Sequence, residues 1–525
     1  WVATEDGINY FDGKTFGNIN SDNGLLNNAI HAIAKDNDGN IWFGTYGAGV
    51  YGLSSNALKS FSKKQGILGA CFAIYQSNDQ KVWLGMDNHG LVKNDGKDFY
   101  YFPKELNKFN TINGINQDKN GKLWLASQNS GLISYDGKQF VVYSEMQGLL
   151  SDYLYSVDID NDGKFWLAGE DGYSIFDGKT FETFKLLPKV EDLETYKILH
   201  DKNNRHWIAS SHGLFIYDGK KTLHFDKKNG LSDNCIYSLA FDEEGNLWCG
   251  TENAGIIILT QDYVNNPQPQ LSSTQLIYYG ENEGLPANTV YAMISDSLHR
   301  VYAGTDLGFQ VFSKGLDFSK QNIETYNANT GYLIKDANLG AIHIDQQQQL
   351  WLGTGDKLIM FDINKVNRKK GSPQLQLTDV KLNGQVVSWK TIMEQKSYSS
   401  KELFFEEKLI LKKLLRKEEK DSIKAKYANL SFDEVEGLFR IPTNLVVPHS
   451  LNHLTFDFNA IAPYDAKFIT YKYYLEGYDK DWHPETNETS VAYGNIDAGD
   501  YTFYVKARRI NGEWSQPISF QFQVL

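Results

Sequence analysis

Three aspartates with the spacing of a calcium loop are the first residues whose pattern could do chemistry. Asp158, Asp160 and Asp162 match the opening of an EF-hand, in which alternating oxygen ligands surround Ca²⁺. The twelfth position of that loop is Gly169, where the motif requires a bidentate glutamate, and strand-like segments flank the loop. We therefore interpret this segment as a polar turn between two strands.

The other residues that could do chemistry are scattered. His89 and His212 occupy equivalent loops of the repeat described below, but two histidines alone favour a metal site only weakly. No HExxH, GxSxG or phosphate-loop pattern occurs. No pair of carboxylates is singled out by its position, as glycosidase chemistry would require. We predict a non-enzymatic region without a metal or cofactor, and keep paired carboxylates in a central channel as the enzymatic alternative.

Composition narrows the class of partner. The formal net charge is −13, which argues against binding to nucleic acid or to anionic lipid. Cys71, Cys235 and Cys249 form no CxxC pair, so we expect buried small side chains and neither a zinc site nor a disulfide framework. No apolar run is long enough to cross a bilayer. The chain starts at Trp1 inside a repeat, so we expect flanking segments, including any membrane span, to lie outside it.

The strongest pattern in the sequence is an internal repeat. The fold that this repeat forms would position the side chains of any functional site. An aromatic anchor residue followed by small or apolar residues recurs at intervals of 41, 41, 41, 42, 41, 41, 54 and 49 residues. The anchor residues are Trp1, Trp42, Trp83, Trp124, Trp166, Trp207, Trp248, Tyr302 and Trp351. The two longest intervals hold insertions. A period of about 40–45 residues with four strand-like runs is typical of one β-propeller blade.

Each period predicts four antiparallel strands. Around Trp42 these are residues 29–34, 41–45 and 50–53, with a fourth strand from Leu58 that closes the same unit. In other repeats an Asp-Gly pair joins the third and fourth strands, because both residues tolerate the positive φ of a tight hairpin. These pairs begin at Asp12, Asp95, Asp136, Asp177 and Asp218. We expect the anchor residue, on the second strand, to fill the gap between neighbouring blades.

The predicted fold is all-β. We expect a β-propeller over residues 1–372, with seven to eight four-stranded blades, followed by an immunoglobulin-like or fibronectin-like β-sandwich over residues 373–525. Two arrangements fit the nine anchor residues. One is a single ring of seven or eight blades, with the remaining repeat segments outside it. The other is the tail of one propeller followed by a closed seven-bladed ring. The Lys- and Glu-rich residues 401–426 predict a helical or mobile insertion in the sandwich.

These repeats resemble the two-component regulator propeller family, whose motif runs from D-G-L-P-x-N to L-W-x-G-T. The corresponding stretches begin at Asn23, Gln147, Asn229 and Glu283 and end with the anchor residues Trp42, Trp166, Trp248 and Tyr302. In the C-terminal part, residues 451–458, 474–482, 493–496, 498–507 and 511–514 resemble the Y_Y_Y domain that accompanies this propeller.

The resemblance implies the periplasmic sensor region of an inner-membrane two-component signalling protein, often a hybrid histidine kinase. It implies a saccharide or related small molecule as the ligand, and a relay through the Y_Y_Y domain to a cytoplasmic kinase. It also implies a homodimer through the Y_Y_Y domain and membrane contact only through a segment outside this chain.

Propeller geometry brings the loops between second and third strands, and the loops between blades, to one face. Their amide, carboxylate, imidazole and aromatic groups suit a polyhydroxylated ligand, although Asn and Asp are also ordinary loop formers. The predicted ligand-binding residues on this face are Tyr46, Asn88, His89, Asn129, Tyr153, His212, Asn234 and Asn253. The alternative is a protein-interaction scaffold without a small ligand, which an exposed apolar patch on this face would favour.

Overall fold

The computed structural model describes residues 1–11, 16–20, 25, 28–36, 39–53, 57–96, 98–102, 111–272, 274–319, 322–327, 330, 332, 334–366, 372–393, 407–408, 411–462, 469–509 and 512–525. The chain forms two compact units, Trp1–Arg368 and Lys369–Leu525, and each is described by itself. The domain division at residues 372 and 373 stays a prediction, and the Asp12 hairpin lies outside the described residues. Within these ranges no helix is both long and apolar enough to span a membrane.

The first unit begins with two three-stranded antiparallel sheets. One contains β1 (Val2–Thr4), β2 (Gly7–Phe11) and β3 (Phe16–Ile19), and the other contains β4 (Ile30–Lys35), β5 (Ile41–Thr45) and β6 (Val50–Leu53). The two sheets share one apolar cluster, in which Ile8 and Phe43 are buried.

Seven four-stranded antiparallel sheets follow and form a closed ring, numbered here as blades one to seven. Their first strands are β8 (Cys71–Gln76), β12 (Ile112–Gln117), β16 (Leu154–Ile159), β20 (Thr195–His200), β24 (Ile236–Phe241), β28 (Val290–Ser295) and β32 (Ala337–Ile344). Each first strand packs beside the first strand of the next blade, and β32 packs beside β8. The first strands therefore line the centre of the ring.

The remaining strands of each blade step outward from the centre. The second strands are β9 (Val82–Met86), β13 (Leu123–Ser127), β17 (Phe165–Gly169), β21 (His206–Ser210), β25 (Leu247–Thr251), β29 (Val301–Thr305) and β33 (Gln349–Thr354). The third strands are β10 (Gly90–Asn94), β14 (Leu132–Tyr135), β18 (Gly172–Phe176), β22 (Gly213–Tyr217), β26 (Ile256–Leu259), β30 (Gly308–Phe312) and β34 (Leu358–Asp362). The fourth strands of blades one to six are β11 (Phe99–Tyr101), β15 (Phe140–Tyr143), β19 (Phe181–Lys185), β23 (Thr222–Phe225), β27 (Leu276–Tyr279) and β31 (Ile323–Tyr326).

The fourth strand of blade seven comes from the segment of the chain that precedes blade one. Strand β7 (Leu58–Phe61) pairs antiparallel with β34, and Leu358 lies opposite Phe61. The prediction that this strand closes the Trp42 repeat is wrong, because pairing with β34 covers the edge that blade seven would otherwise leave open. Phe61 also stacks on Trp351, with ring centroids 6.1 Å apart. Of the two predicted arrangements, the structure has the second, a partial propeller followed by a closed seven-bladed ring.

The anchor residues fill the gaps between blades, as predicted. Seven clusters of buried side chains each combine two neighbouring blades, and the anchor of every ring blade lies in the cluster that it shares with the next blade. Trp207 and Trp248 are 0% exposed. At the junction of blades seven and one, a Cβ on Gly353 would lie 2.3 Å from the carbonyl oxygen of Cys71, so this contact requires glycine.

A polar side chain holds each anchor in the ring, and this side chain is buried in every ring blade except blade two, where Asp118 is half-buried. In blades two to seven an aspartate six residues earlier accepts a hydrogen bond from the anchor N–H or O–H, and in blade one Ser77 does the same for Trp83. In blade three, Trp166 Nε1 donates to Asp160 Oδ2 at 2.9 Å. Asp160 Oδ1 accepts from two backbone N–H groups, at 3.0 and 2.9 Å. Asp160, the middle aspartate of the segment that resembles a calcium loop, therefore supports a turn and an indole.

The second unit is a β-sandwich, which confirms the predicted fold. One sheet has the order β35 (Gln374–Leu382), β39 (Leu454–Ile461), β41 (Ser490–Tyr493). The other has the order β38 (Leu445–Val447), β43 (Ile518–Val524), β42 (Gly499–Arg508), β40 (Thr470–Glu476), and a small pair is formed by β36 (Val435–Glu436) and β37 (Ile441–Pro442). Phe456 and Phe503 stack between the two main sheets, with ring centroids 4.2 Å apart.

Helices are few among the described residues. The α-helices are α1 (Gln261–Asn265), α2 (Trp389–Ile392) and α3 (Lys417–Lys426). The 3₁₀ turns are Lys63–Gln65, Glu145–Gln147, Lys227–Asn229, Glu281–Glu283, Ile363–Lys365 and His449–Leu451. Helix α3 overlaps the charged insertion, of which residues 401–406 and 409–410 lie outside the described residues, and its Lys420 pairs with the buried Glu407 at 2.6 Å.

Replacing the aspartate that holds an anchor residue is expected to destabilise the ring. Asp160→Ala leaves the indole N–H of Trp166 and two backbone N–H groups without their acceptor, which should lower the free energy of unfolding by about 2–4 kcal/mol. The matched control is Asp162→Ala in the same turn, because that side chain is exposed and should change stability by less than about 0.5 kcal/mol. Denaturant unfolding measures both variants, and equal losses would contradict the assigned role.

Ring closure is expected to weaken in acid through His343. Its Nε2 accepts a hydrogen bond from the backbone N–H of Gln76 in blade one at 3.2 Å, and burial lowers the pKa of His343 to about 4. Between pH 6.5 and about pH 4, His343 is therefore protonated in the unfolded chain but neutral in the folded chain. The free energy of unfolding falls by about 1–3 kcal/mol as the pH falls through this window.

The variant that tests this is His343→Gln, which keeps an acceptor but does not titrate. Its unfolding free energy should fall less over the same pH window than that of the wild type. His299→Gln, at an exposed position, is the control and should follow the wild type. Parallel pH profiles for the wild type and His343→Gln would disprove the assignment.

Candidate functional site

Each first strand of the ring carries a β-bulge near its start. In blades one to six, one residue is inserted between two residues that pair with consecutive positions of the second strand, and in blade seven the irregularity is longer. A bulge leaves the extra residue outside the ladder and re-aims its side chain. The inserted residues are Phe72, Asn113, Tyr155, Tyr196, Tyr237 and Tyr291. The same backbone irregularity therefore brings six equivalent side chains to one level of the ring.

Tyrosines occupy four consecutive bulges and form a continuous row. Together with Tyr153, which precedes the first of these strands, they are called here the tyrosine arc: Tyr153, Tyr155, Tyr196, Tyr237 and Tyr291. Neighbouring ring centroids along the arc are 5.0, 5.0, 5.2 and 5.6 Å apart. The contacts at Tyr196 are edge-to-face and the contact between Tyr237 and Tyr291 is stacked, both of which are favourable aromatic geometries.

Carboxylates hold the hydroxyl groups of three arc tyrosines, Tyr155, Tyr196 and Tyr237. Tyr155 donates to Glu194 Oε1 at 2.6 Å, and Tyr196 donates to the other oxygen of the same carboxylate. Tyr237 donates to Glu252 Oε1 at 3.1 Å. Burial, and then hydrogen bonding to Glu194, raise the pKa of Tyr155 and of Tyr196 far above the ordinary value for tyrosine. These phenols therefore stay protonated and remain donors to the carboxylates.

The tyrosine arc borders a central cavity of about 610 Å³. All seven first strands contribute to its lining, and four arc residues face it, namely Tyr153, Tyr155, Tyr196 and Tyr237. A cavity of this size lies within the range of small-molecule sites, which is roughly 300–1,000 Å³. The arc thus forms one aromatic wall of a space large enough for a small ligand.

Charged groups in the cavity lining are unevenly balanced. Its carboxylates are Asp87 and Asp158, and its one lysine, Lys197, is already paired with Asp158 at 2.8 Å. Burial lowers the pKa of His343, the histidine in the lining, to about 4, so its ring is neutral near pH 7. The lining therefore carries an excess of negative charge, with Glu194 and Glu252 adding to it behind the tyrosines.

Of the predicted ligand-binding residues, the structure places Tyr153 in the cavity wall. Its hydroxyl accepts a hydrogen bond from Gln128 Nε2 at 3.0 Å. Asn88 and His89 follow the cavity residue Asp87. The backbone N–H of Asn88 donates to Thr111, and His89 Nδ1 lies 2.7 Å from the carbonyl oxygen of Asp87.

Asn234 and Asn253 meet at one carboxylate, since the backbone N–H groups of both donate to Asp233, at 2.9 and 2.8 Å. The side-chain amide of Asn253 also donates to Glu252 at 3.2 Å, which places it directly behind the tyrosine arc. Both asparagines lie outside the cavity lining, and Asn253 contacts the carboxylate that accepts from Tyr237.

The remaining predicted residues belong neither to the cavity lining nor to the arc. Asn129 is exposed in the loop between β13 and β14, and His212 Nδ1 contacts the hydroxyl of Ser211 at 2.9 Å. Tyr46 is 72% exposed in the second three-stranded sheet, outside the closed ring. For these three residues a role in binding stays a prediction.

The bulge tyrosines were missed by reasoning from the sequence. Their signal is a fixed spacing, because each inserted residue of blades one to six lies eleven positions before the anchor residue of its blade. Alternation alone assigns this position to the strand and does not show that a bulge turns its side chain toward the cavity.

Aromatic faces beside carboxylate acceptors suit a ligand that is rich in hydroxyl groups. Rings pack against the C–H faces of such a ligand, and carboxylates accept its O–H donors. Across the described ranges, no group of three or more His, Cys, Asp or Glu side chains is placed to hold a metal ion. Stacking and hydrogen bonding are interactions that the arc can offer to a ligand.

The arc is expected to shield Cys235 from thiol reagents. All three cysteines are free and buried, as predicted, and burial, with the nearby Glu252 second, raises the pKa of Cys235 to about 12. Because the thiolate is the reactive form, native Cys235 should react slowly. Tyr196→Ala removes one covering ring and should raise the labelling rate at Cys235 by about tenfold or more, measured by maleimide modification and peptide mass spectrometry.

This labelling experiment has two controls, a variant at an exposed tyrosine and the two other cysteines of the chain. Tyr100→Ala, at an exposed position on β11, should leave the rate at Cys235 unchanged. Cys71 and Cys249 should stay unlabelled in every variant that remains folded, because both lie within the clusters between blades. Unchanged labelling of Cys235 in Tyr196→Ala would show that the arc does not cover it.

Family models match both units of the chain. The two-component regulator propeller model matches residues 24–47 and 230–253, and the Y_Y_Y domain model matches residues 465–525. The first match covers β4 and β5 of the second small sheet, and the second covers β24 and β25 of blade five. The Y_Y_Y match covers β40 to β43 of the sandwich. No curated protein matches the chain.

Solved structures with similarity to this chain include two extracellular domains of hybrid two-component systems from B. thetaiotaomicron. One is 21% identical, with a TM-score of 0.37, over 99% of this chain and 76% of the other. The second is 19% identical, with a TM-score of 0.48, over 100% of this chain and 67% of the other. A virginiamycin B lyase from Staphylococcus aureus is 14% identical, with a TM-score of 0.44, over 58% of this chain and 99% of the other. On its family matches, the chain carries two-component regulator propeller repeats and a C-terminal Y_Y_Y domain.

Proposed function

We propose that this chain is the extracytoplasmic, periplasmic sensing region of a membrane-bound two-component signalling protein. The family matches support this proposal, because both units carry modules of such regulators. In this proposal the chain itself does not catalyse a reaction. A saccharide or related small molecule binds in the ring, and the output enzyme is a cytoplasmic kinase.

The tyrosine arc at the central cavity is the observation that carries the ligand part of this proposal. Four tyrosines face a cavity of about 610 Å³, and carboxylates fix the hydroxyl groups of three of them. A row of aromatic faces with oxygen acceptors matches the alternating apolar and polar surfaces of a sugar. A scaffold that grips a protein partner would instead be favoured by a broad apolar patch.

The Y_Y_Y domain is the proposed relay. Ligand binding would shift a packing or dimer equilibrium of the sandwich, and it can do so only to the extent that the ligand binds one state more tightly than the other. We propose that two copies of the chain associate through this domain. The signal would then reach the kinase through a membrane segment outside the chain.

Calorimetric titration with a panel of neutral oligosaccharides tests the proposal. At least one member should bind the wild type, and Tyr196→Ala and Tyr237→Ala should each weaken that binding about three- to tenfold, which corresponds to the loss of one aromatic contact. Tyr100→Ala is the matched control and should bind like the wild type, because this tyrosine is exposed on an outer strand. Absence of binding across the panel, or undiminished binding by both arc variants, would refute the proposed site.

A further inference from the structure

The groups that the tyrosine arc offers to a ligand are hydrogen-bond acceptors. The hydroxyl donors of Tyr155 and Tyr196 are both directed to Glu194, and that of Tyr237 is directed to Glu252. A phenol that donates to a carboxylate has lone pairs left but no second proton to give. Aromatic faces are likewise regions of negative potential. A ligand that contacts the hydroxyl groups of Tyr155, Tyr196 and Tyr237 therefore has to supply the donors.

The charged groups near the arc also favour a ligand that supplies donors. Glu194 and Glu252 lie behind the tyrosines, and burial followed by the nearby Asp306 raises the pKa of Tyr291 at the end of the row. The lysine in the cavity lining, Lys197, is neutralised by Asp158 at 2.8 Å. No cation among the described lining residues is therefore left to receive a carboxylate or sulfate group.

The physical consequence is a ranking of ligands by charge. An anionic ligand would meet uncompensated negative charge in a partly water-excluded cavity, where the repulsion is stronger than in water. A neutral hydroxylated ligand supplies donors without that penalty. A ligand with a protonated amine is attracted by the negative charge of the carboxylates and gains a cation–π contact with the tyrosine faces.

We infer that the site selects non-acidic, hydroxyl-rich ligands, and that a protonated amine on such a ligand strengthens binding. This inference rests on the proposed function and narrows the class of saccharide: amino sugars bind best, neutral sugars bind more weakly, and uronic or sulfated sugars are excluded. The discrimination comes from Glu194 and Glu252 acting through the tyrosine arc.

Glucose, glucosamine and glucuronic acid test the ranking, since the last two each differ from glucose at a single carbon. Each sugar is titrated into the whole chain at a pH that keeps the amine protonated. Binding is followed by ligand-observed NMR, with Tyr196→Ala used to assign the signal to the arc. Glucosamine should bind about tenfold or more tightly than glucose, a ratio equivalent to about 1.4 kcal/mol. Glucuronic acid should not bind at this site. Added salt should reduce the preference, because salt screens the carboxylates.

Two charge-neutral variants locate the source of the preference. Glu194→Gln and Glu252→Gln keep a hydrogen-bond acceptor beside the phenols but remove the charge, so each should bring the affinities for glucosamine and glucose closer together. Glu182→Gln, at an exposed position on β19, is the matched control and should keep the full preference.

The outcomes separate this inference from the proposed function. Equal or tighter binding of glucose or glucuronic acid at the arc would overturn the inference and leave saccharide sensing standing. Unchanged selectivity in both glutamine variants would also overturn it. If no neutral oligosaccharide and none of the three sugars binds, the proposed function fails and the inference fails with it.

Discussion

The ring depends on one repeated contact, the hydrogen bond from an anchor N–H or O–H to a side chain six residues earlier, which is buried in six of the seven blades. Trp166 and Asp160 show the geometry, with the indole and two backbone N–H groups sharing one carboxylate. A buried carboxylate is tolerated only when its oxygens are satisfied, and a buried indole needs an acceptor for its N–H. The bond meets both requirements at once. It fixes the indole at the same depth in successive blades, where it packs against the next sheet.

Closure of the ring follows from a different constraint, the need to cover an exposed strand edge. Blade seven supplies three strands in sequence and takes β7 as its fourth, so the two ends of the ring are joined by backbone hydrogen bonds. Across the same junction, Asn338 donates to the carbonyl of Cys71 at 2.8 Å, and Gln76 donates to His343. This closure holds the seven first strands around one cavity, which an open stack of blades would not enclose.

The candidate site arises where the regular pattern of the blade is broken. A bulge at the start of each first strand removes one residue from the ladder, and four successive blades place tyrosine there. The regular parts of the blade supply stability, and the irregular residue is free to vary from blade to blade, as Phe72 and Asn113 do at the equivalent positions. The proposed recognition therefore uses positions that the packing of the ring does not dictate.

The sequence by itself determined the blade and the sandwich, because anchor spacing, Asp-Gly hairpins and strand alternation are local patterns. It also indicated Tyr153 and the loops beside the cavity, since propeller topology follows from the repeat. It did not determine the partner of β7, because strands far apart along the chain compete for the same edge and only the closed ring decides between them. Nor did it show the tyrosine arc, since Tyr196 and Tyr237 lie 41 residues apart and become neighbours only when the blades pack, with a bulge turning each ring inward.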